Sequence, residues 1–402
     1  MTATRISRSV VQSVLSRETP EGAGALVRRS IGTNSLRNFT PFLMLDHFNV
    51  APGAGFPDHP HRGMTTLTYM LTGQFQHEDF AGHKGLIGPG DLQFMIAGKG
   101  IVHAEMPVHK PGGDNPTGLQ LWIDLPKEHK LTDPSYQELR ADQIPSVHPT
   151  DNIVVKVICG TAQGNQQEGQ VSSPVRPLGG CWFFDVQFSK SGEQFWQNIP
   201  KGWNTFTYIL EGQVKHGSSG SSLPVETFHT TVLSSNDNET GILLESVTDK
   251  ARIVVVAGEP LNQNIVQHGP FVMDTKNGIQ QAFMDFSMGA NGFEKAHSWK
   301  SDIGKHSGIS KDHGAKLHDI PDDSLSELLP IAKKIAKAVG ATDYNILQNN
   351  GRIAHQEVDH VHVHMIPKPK ASDEEGLVVG WPAKKANMDE LKAFVEEIKN
   401  KL

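Results

Sequence analysis

Two short pieces of this chain carry side chains of metal-ligand type at alternating positions. They are Phe56-Pro57-Asp58-His59-Pro60-His61-Arg62-Gly63 and, about forty residues on, Gly100-Ile101-Val102-His103-Ala104-Glu105. On a β-strand alternate residues face the same side, so each pair points one way. Two such strands side by side offer His59, His61, His103 and Glu105 to a single centre. Three imidazoles and a carboxylate suit a divalent transition metal with coordination positions left open. Fe, Mn, Ni, Cu and Zn all remain admissible, because affinity order alone does not choose between them. Iron with open positions would allow O2 chemistry, whereas a closed four-coordinate zinc site would be structural. The plain alternative is a polar barrel lining. A single His-x-His pair invites that reading, and two pairs beside Gly-rich turns argue against it. A second cluster, His360-Val361-His362-Val363-His364, places three imidazoles on one face of a strand.

The elements that must position these residues are mostly strands. From Pro41 to Leu125 short apolar segments alternate with Gly, Pro and Asp punctuation, as in Leu67-Thr68-Tyr69-Met70-Leu71 and Leu119-Gln120-Leu121-Trp122-Ile123-Asp124-Leu125. Such spacing indicates an all-β barrel or sandwich. Gln120, Trp122 and Asp124 alternate and either line a barrel or serve plain strand packing. Thr68-Tyr69-Met70-Leu71-Thr72-Gly73-Gln74-Phe75-Gln76-His77 returns as Thr207-Tyr208-Ile209-Leu210-Glu211-Gly212-Gln213-Val214-Lys215-His216. This repeat argues for two barrels of one type in tandem. Carried over by the same shift, His59 falls on Asn198 and His61 on Pro200, and Leu244 takes the place of His103. The second barrel therefore lacks the ligands, and one metal per chain is expected. The Gln-, Gly- and Ser-rich stretch from Gln163 to Ser173 reads as a flexible seam.

Composition bounds the reading further. A chain of 402 residues suggests two or three domains. A net charge of −7 without a basic patch gives no support to direct nucleic-acid binding. Two cysteines, Cys159 and Cys181, are too few for a disulfide framework, and a reducing compartment fits. Apolar runs such as Ile253-Val254-Val255-Val256-Ala257 suit buried strands and are too short to span a bilayer. Arg5, Arg8 and Arg17 precede the first acid, Glu18, without the clear amphipathic pattern of a transit peptide. Beyond Trp299 the pattern turns helical: Asp322 and Asp323 can start a helix, Gly340 can end it, and Leu325, Leu328, Leu329, Ala332, Ile335, Ala336 and Val339 keep helical spacing between them. A strand over Tyr344-Asn345-Ile346-Leu347, a turn at Asn349-Asn350-Gly351, an alternating strand from Val358 to Ile366 and a helix from Met388 to Leu402 follow. This is a separate α+β segment.

Over Glu18 to about Trp299 the chain resembles the pirins, a family of tandem cupin proteins. The resemblance rests on the two ligand pieces, His77-Glu78-Asp79, Gly90-Asp91-Leu92-Gln93, Gly258-Glu259-Pro260-Leu261-Asn262 and His268-Gly269-Pro270-Phe271-Val272-Met273. It implies a mainly β fold of two cupin barrels (double-stranded β-helices), over residues 1–162 and 174–299. It also implies one iron per chain, held by His59, His61, His103 and Glu105 in the first barrel, with other divalent metals as alternatives. Two functions follow from the family. One is cleavage of a flavonol such as quercetin with O2, in which Glu105, as ligand or released base, removes the substrate's hydroxyl proton. The other is a redox-sensitive partnership with transcription factors, which implies a nuclear or cytoplasmic location. The sequence departs from many relatives at Thr65, where they have an acid; an acid steadying the ligand strand there would make the metal geometry of this chain different.

A second resemblance, to histidine-triad nucleotide hydrolases, covers about Lys311 to Leu402. It rests on Gly314-Ala315-Lys316-Leu317-His318-Asp319, Gln348-Asn349-Asn350-Gly351-Arg352, Gln356-Glu357-Val358-Asp359, the triad and Gly380-Trp381. It implies a nucleotide ligand and His362 as the nucleophile on an α-phosphate, as in a nucleoside phosphoramidate hydrolase. His360 and His364 would orient it, with Asn349 nearby and Gln356 contacting the leaving group. The domain expected over 311–402 is incomplete, because His306-Ser307-Gly308-Ile309-Ser310 lacks the alternating hydrophobics of the opening strands. Missing strands leave a hydrophobic edge and face. A degenerate fusion used for interaction, a join of two separate genes and a working hydrolase are the three accounts.

Overall fold

The computed structural model describes residues 4–22, 24–110, 112–217, 223–306, 314–320, 322–325, 328–356 and 361–368. The chain falls into two compact units, Met1–Ile309 and Ser310–Leu402.

Alternating apolar residues and Gly turns make the first unit almost entirely antiparallel strand. Its amino-terminal barrel has a larger sheet in the order Ser135–Leu139, Leu92–Ile96, Met64–Thr72, Thr117–Asp124, Phe42–Asn49, Ala25–Ile31 and Glu18–Glu21. A smaller sheet faces it, in the order Phe56–His61, Ile101–Val108, Gln74–Asp79 and Lys84–Ile87. The second barrel repeats the plan. Its larger sheet runs Val10–Leu15, His229–Leu233, Asn204–Glu211, Ala251–Gly258, Cys181–Phe188, Ile153–Cys159 and Ser146–Thr150, and its smaller one Gln194–Asn198, Gly241–Ser246, Gln213–His216 and Val225–Glu226. Membership of the sheets does not follow a division at residue 162. The amino-terminal strand Val10–Leu15 pairs with His229–Leu233, and Ser146–Thr150 and Ile153–Cys159 also lie in the second sheet. The expected flexible seam is instead largely a hairpin, with Thr161–Gln163 paired to Gln170–Ser172.

The two larger sheets bury a shared core, in which Phe42, Leu45, Leu67, Tyr69, Leu119 and Leu121 meet Phe183, Phe206, Tyr208, Val254 and Val256. The Tyr69 hydroxyl donates to Asp185 at 2.9 Å, and Asp185 in turn takes two hydrogen bonds from Arg252. Both cysteines are free and buried, and the Cys159 thiol donates to the Cys181 carbonyl at 3.0 Å.

After the last barrel strand the chain returns to the first barrel. Helix Lys276–Met288 starts at Thr275, whose hydroxyl accepts from the Gly278 N–H, and ends at left-handed Gly289. Its buried Ile279 and Ala282 join Phe271, Phe293 and Val102 in one apolar cluster. This arm, with the short turn Ile303–His306, falls inside the span read as barrel and beyond. Among the described residues no helix is long and apolar enough to cross a membrane.

In the second unit, helix Leu328–Ala338 is followed by Gly340 at φ 68°, as the helical spacing predicts. Strand Tyr344–Leu347 pairs with His364–Pro367, so within the alternating stretch strand begins only at His364 among the described residues. Leu329, Ile331, Ile335 and Val339, on or just after this helix, and Tyr344 and Ile346, on the strand, are exposed. The expected terminal helix, Met388 to Leu402, lies outside the described residues.

Candidate metal centre

His59 and His61 project from Phe56–His61, and His103 and Glu105 from the neighbouring Ile101–Val108. His103 stands directly opposite His59, and Ile101 opposite His61. Ligand-type nitrogens of His59, His61 and His103 therefore lie within 4.8 Å of one another. The ring centroids are 4.4 to 5.0 Å apart. The His59 Nδ1–H donates to the Pro57 carbonyl at 2.8 Å, which leaves the lone pair of its Nε2 facing His103 Nε2, a hydrogen-bond partner 3.0 Å away. Both nitrogens of His61 and Nδ1 of His103 are buried without a hydrogen-bond partner. Burial, and then the neighbouring imidazoles, hold His61 and His103 well below the ordinary histidine pKa. The centre thus collects converging imidazole nitrogens, those of His61 and His103 buried, which a transition metal would satisfy.

Glu105 stands beside this trio. Its Oε1 accepts from the Thr68 hydroxyl and its Oε2 from the Gln120 amide, both at 3.1 Å, and Oε2 is 4.0 Å from His103 Nε2. The single Thr68 hydroxyl proton is shared between Glu105 and the Gln120 side-chain oxygen. Trp122 meets the His61 ring edge-to-face, with centroids 5.2 Å apart. Gln120 and Trp122 line the cavity, whereas Asp124 is held away from it by Lys130 at 2.6 Å and by Gln263. The cavity has a volume of about 1070 Å³, and Phe48, Phe56, Phe75, Trp122, His59 and Glu105 are among the residues that line it. Also in its lining, Arg29 holds Asp46 through two hydrogen bonds and reaches Glu21.

Thr65 has no part in this. It pairs with Ile123 and faces the side of Leu67 and Tyr69, whereas Thr66 and Thr68 pair with Trp122 and Gln120. Thr65 therefore lies on the opposite face of its strand from Thr66 and Thr68, which face the site.

The second barrel corrects the positions expected for the lost ligands. His216 stands opposite Leu244 as His77 stands opposite Glu105, so Leu244 takes the place of Glu105 and Ile242 that of His103. Gln197 stands opposite Ile242, where His59 would be. The sequence shift put His59 on Asn198, one residue off, and such a slip turns a side chain to the other face. Asn198 is exposed, and Gln197, Ile242 and Leu244 are buried.

Three profiles match this chain: Pirin over residues 24–123, the Pirin C-terminal cupin domain over 183–292, and the HIT domain over 309–371. A pirin-like protein of Solanum lycopersicum is 45% identical over 295 residues, which is 73% of this chain and 96% of that protein. Pirin of Mus musculus is 45% identical over 301 residues, 74% of this chain and 99% of its own length. The chain belongs to the pirin family. Among solved structures, a quercetin 2,3-dioxygenase from Acinetobacter baumannii aligns with a TM-score of 0.62 at 28% identity, over 70% of this chain and 98% of its own. The pirin part is accordingly a bicupin, and its first barrel holds the three-histidine group.

Within the segment matched to the HIT domain, the His362 and His364 rings stack with centroids 6.1 Å apart, and His360 lies outside the described residues. Gln356 is buried, with its side chain bonded to the Gly351 N–H and the Ala315 carbonyl, so it ties two turns together. The Asn349 amide donates to the His355 carbonyl at 3.1 Å. Among the described residues of this segment, the structure brings His362 and His364 together.

Sequence reasoning missed Thr68 as a partner of Glu105, although it shares the alternation that exposes Gln120. It also missed Arg62, buried beside the centre and paired with Asp285 at 2.6 Å. That contact spans 223 residues, and no local pattern signals it.

Proposed function

We propose that this pirin is an iron-dependent oxygenase of flavonol-like aromatic substrates, with His59, His61 and His103 as metal ligands and Glu105 as fourth ligand or base. The observation that carries the reading is a trio of converging imidazoles, of which His59 lines, together with Glu105, an aromatic-walled cavity of about 1070 Å³. Its likeness to a quercetin 2,3-dioxygenase supports it. Iron bound by these nitrogens would supply the redox chemistry that joins a phenolic ring to dioxygen.

The chain's own residues do the rest. Phe48, Phe56, Phe75 and Trp122 give a planar ring apolar walls and exclude water. Thr68 and Gln120 aim the Glu105 carboxylate beside the imidazoles, where it takes the proton of a substrate hydroxyl.

The test is O2 uptake with quercetin by iron-loaded protein, with His59→Ala as control. Turnover that disappears together with bound iron in the variant is expected. No turnover in a parent shown to hold iron retires the enzyme reading and leaves a redox-dependent binding protein, for which the same ligands serve.

A further inference from the structure

The strand that carries His59 and His61 is poorly held by its own sheet. It is an edge strand, hydrogen-bonded only to Ile101–Val108, and the pairing is irregular between His103 and Glu105. Pro57 and Pro60 remove two of its six backbone donors. Yet a metal site needs its ligands fixed to a fraction of an ångström.

Both residues that flank the histidine pair are fastened from elsewhere. On one side Arg62 donates from Nη1 to Asp285 at 2.6 Å and from Nη2 to the Asn291 carbonyl at 2.6 Å. Its guanidinium lies 4.7 Å from the centre of the Phe293 ring, and its backbone carbonyl accepts from the Val272 N–H at 3.0 Å. On the other side Asp58 accepts from the Ser301 N–H at 3.2 Å and from the Ser301 hydroxyl. The same hydroxyl accepts from the Gly304 N–H at 3.0 Å, which closes the turn. Glu78, two strands further in, accepts from the N–H groups of Asp302 and Ile303 at 2.9 and 3.3 Å. The turn Ile303–His306 thereby touches all three strands Phe56–His61, Ile101–Val108 and Gln74–Asp79.

We infer that the arm following the second barrel is the outer support of the metal centre in the first, with Ser301, through Asp58, a positioning residue for His59 and His61. The inference rests on the metal reading above. It adds that ligand geometry is set by a segment some two hundred and forty residues away in sequence (|i−j| 243 between Asp58 and Ser301). Ser301 touches no ligand, so its effect must pass through the strand.

The experiment uses the full chain with Co2+ as the probe, read by competition with a chelator and by the d–d absorption of the bound ion. Ser301→Ala and Asp58→Ala are each expected to weaken Co2+ binding about tenfold, the lower end for groups that orient ligands, and to alter the d–d bands. The double variant should lose little more than Asp58→Ala alone, because Asp58→Ala already removes both hydrogen bonds to Ser301. Ser301→Thr, which keeps the hydroxyl, should restore the parent's spectrum. Single variants within twofold of the parent, or losses that multiply in the double variant, overturn the inference. Should Ser301→Ala fail to fold, Asp58→Ala alone decides by the same twofold limit. A parent that binds no Co2+ overturns the metal reading itself, a failure distinct from unchanged variants of a binding parent.

Discussion

A histidine nitrogen serves as a metal donor only while it is unprotonated, and in this centre that state follows from the surroundings. Burial and mutual repulsion keep His61 and His103 neutral, and the Pro57 carbonyl fixes the tautomer of His59. Glu105 is different, because Thr68 and Gln120 each hold one of its oxygens. Gln120→Leu would leave Oε2 without its amide donor while the three imidazoles stay in place. Retained iron stoichiometry with quercetin turnover about 10-fold lower is expected, measured by metal analysis beside O2 uptake. Loss of iron in step with turnover would instead make Gln120 part of the support for ligation. The grouping of His59, His61 and His103 was legible from the i, i+2 spacing. The aim of Glu105 was not, because the two donors come from strands whose register no single sequence specifies.

At the scale of elements the turn after the ligand strand is the sharpest constraint. Gly63 has φ +76°, and a Cβ there would lie 1.9 Å from the Val272 carbonyl oxygen. That carbonyl and the Gly63 carbonyl both accept from Lys130 at 3.0–3.1 Å, so neither segment can retreat without leaving a buried ammonium short of partners. Gly63→Ala should therefore lower stability by roughly 2–4 kcal/mol, combining backbone strain with a displaced buried charge. Urea unfolding of the metal-free protein measures it, and a loss below about 1 kcal/mol would show that the turn relaxes. Strands and their repeat were readable from alternation and from the shared Gly-Gln turn. Their assignment to barrels was less so. Val10–Leu15 precedes the first barrel in sequence and closes the sheet of the second, and ladder partners more than 200 residues apart leave no local mark. The same limit explains the slip that placed Asn198 where Gln197 belongs. A strand's two faces differ by one residue, and the gap between paired strands need not be equal in the two repeats.

For the whole molecule the buried histidines set a dependence on pH. His216 fills the interior of the second barrel, where its Nε2 is 2.8 Å from the Thr207 hydroxyl and Nδ1 has no partner. Burial lowers its pKa from 6.5 to about 4. His47, between the barrels, is lowered to about 4 by burial and then by Arg28 and Arg252. A group whose folded pKa is depressed in this way takes up its proton first in the unfolded chain. Stability is therefore full above the ordinary value of 6.5 and falls as the pH drops toward 4, where the folded state also becomes protonated. For one such histidine the loss between pH 7 and pH 5 is about 2 kcal/mol. His61 and His103 act in the same direction when no metal is bound, so the total slope mixes several groups. The His216 share can be isolated. His216→Gln keeps a side chain able to bond Thr207 and has no proton to gain, so its stability should fall by about 2 kcal/mol less than the parent's over this interval. Urea unfolding of both proteins at pH 7 and pH 5, in chelator, gives the comparison. Equal losses in the two would mean that His216 is already solvated or protonated in the folded barrel, and the second barrel would then be more open than its apolar interior of Phe195, Ile199, Ile242 and Leu244 implies.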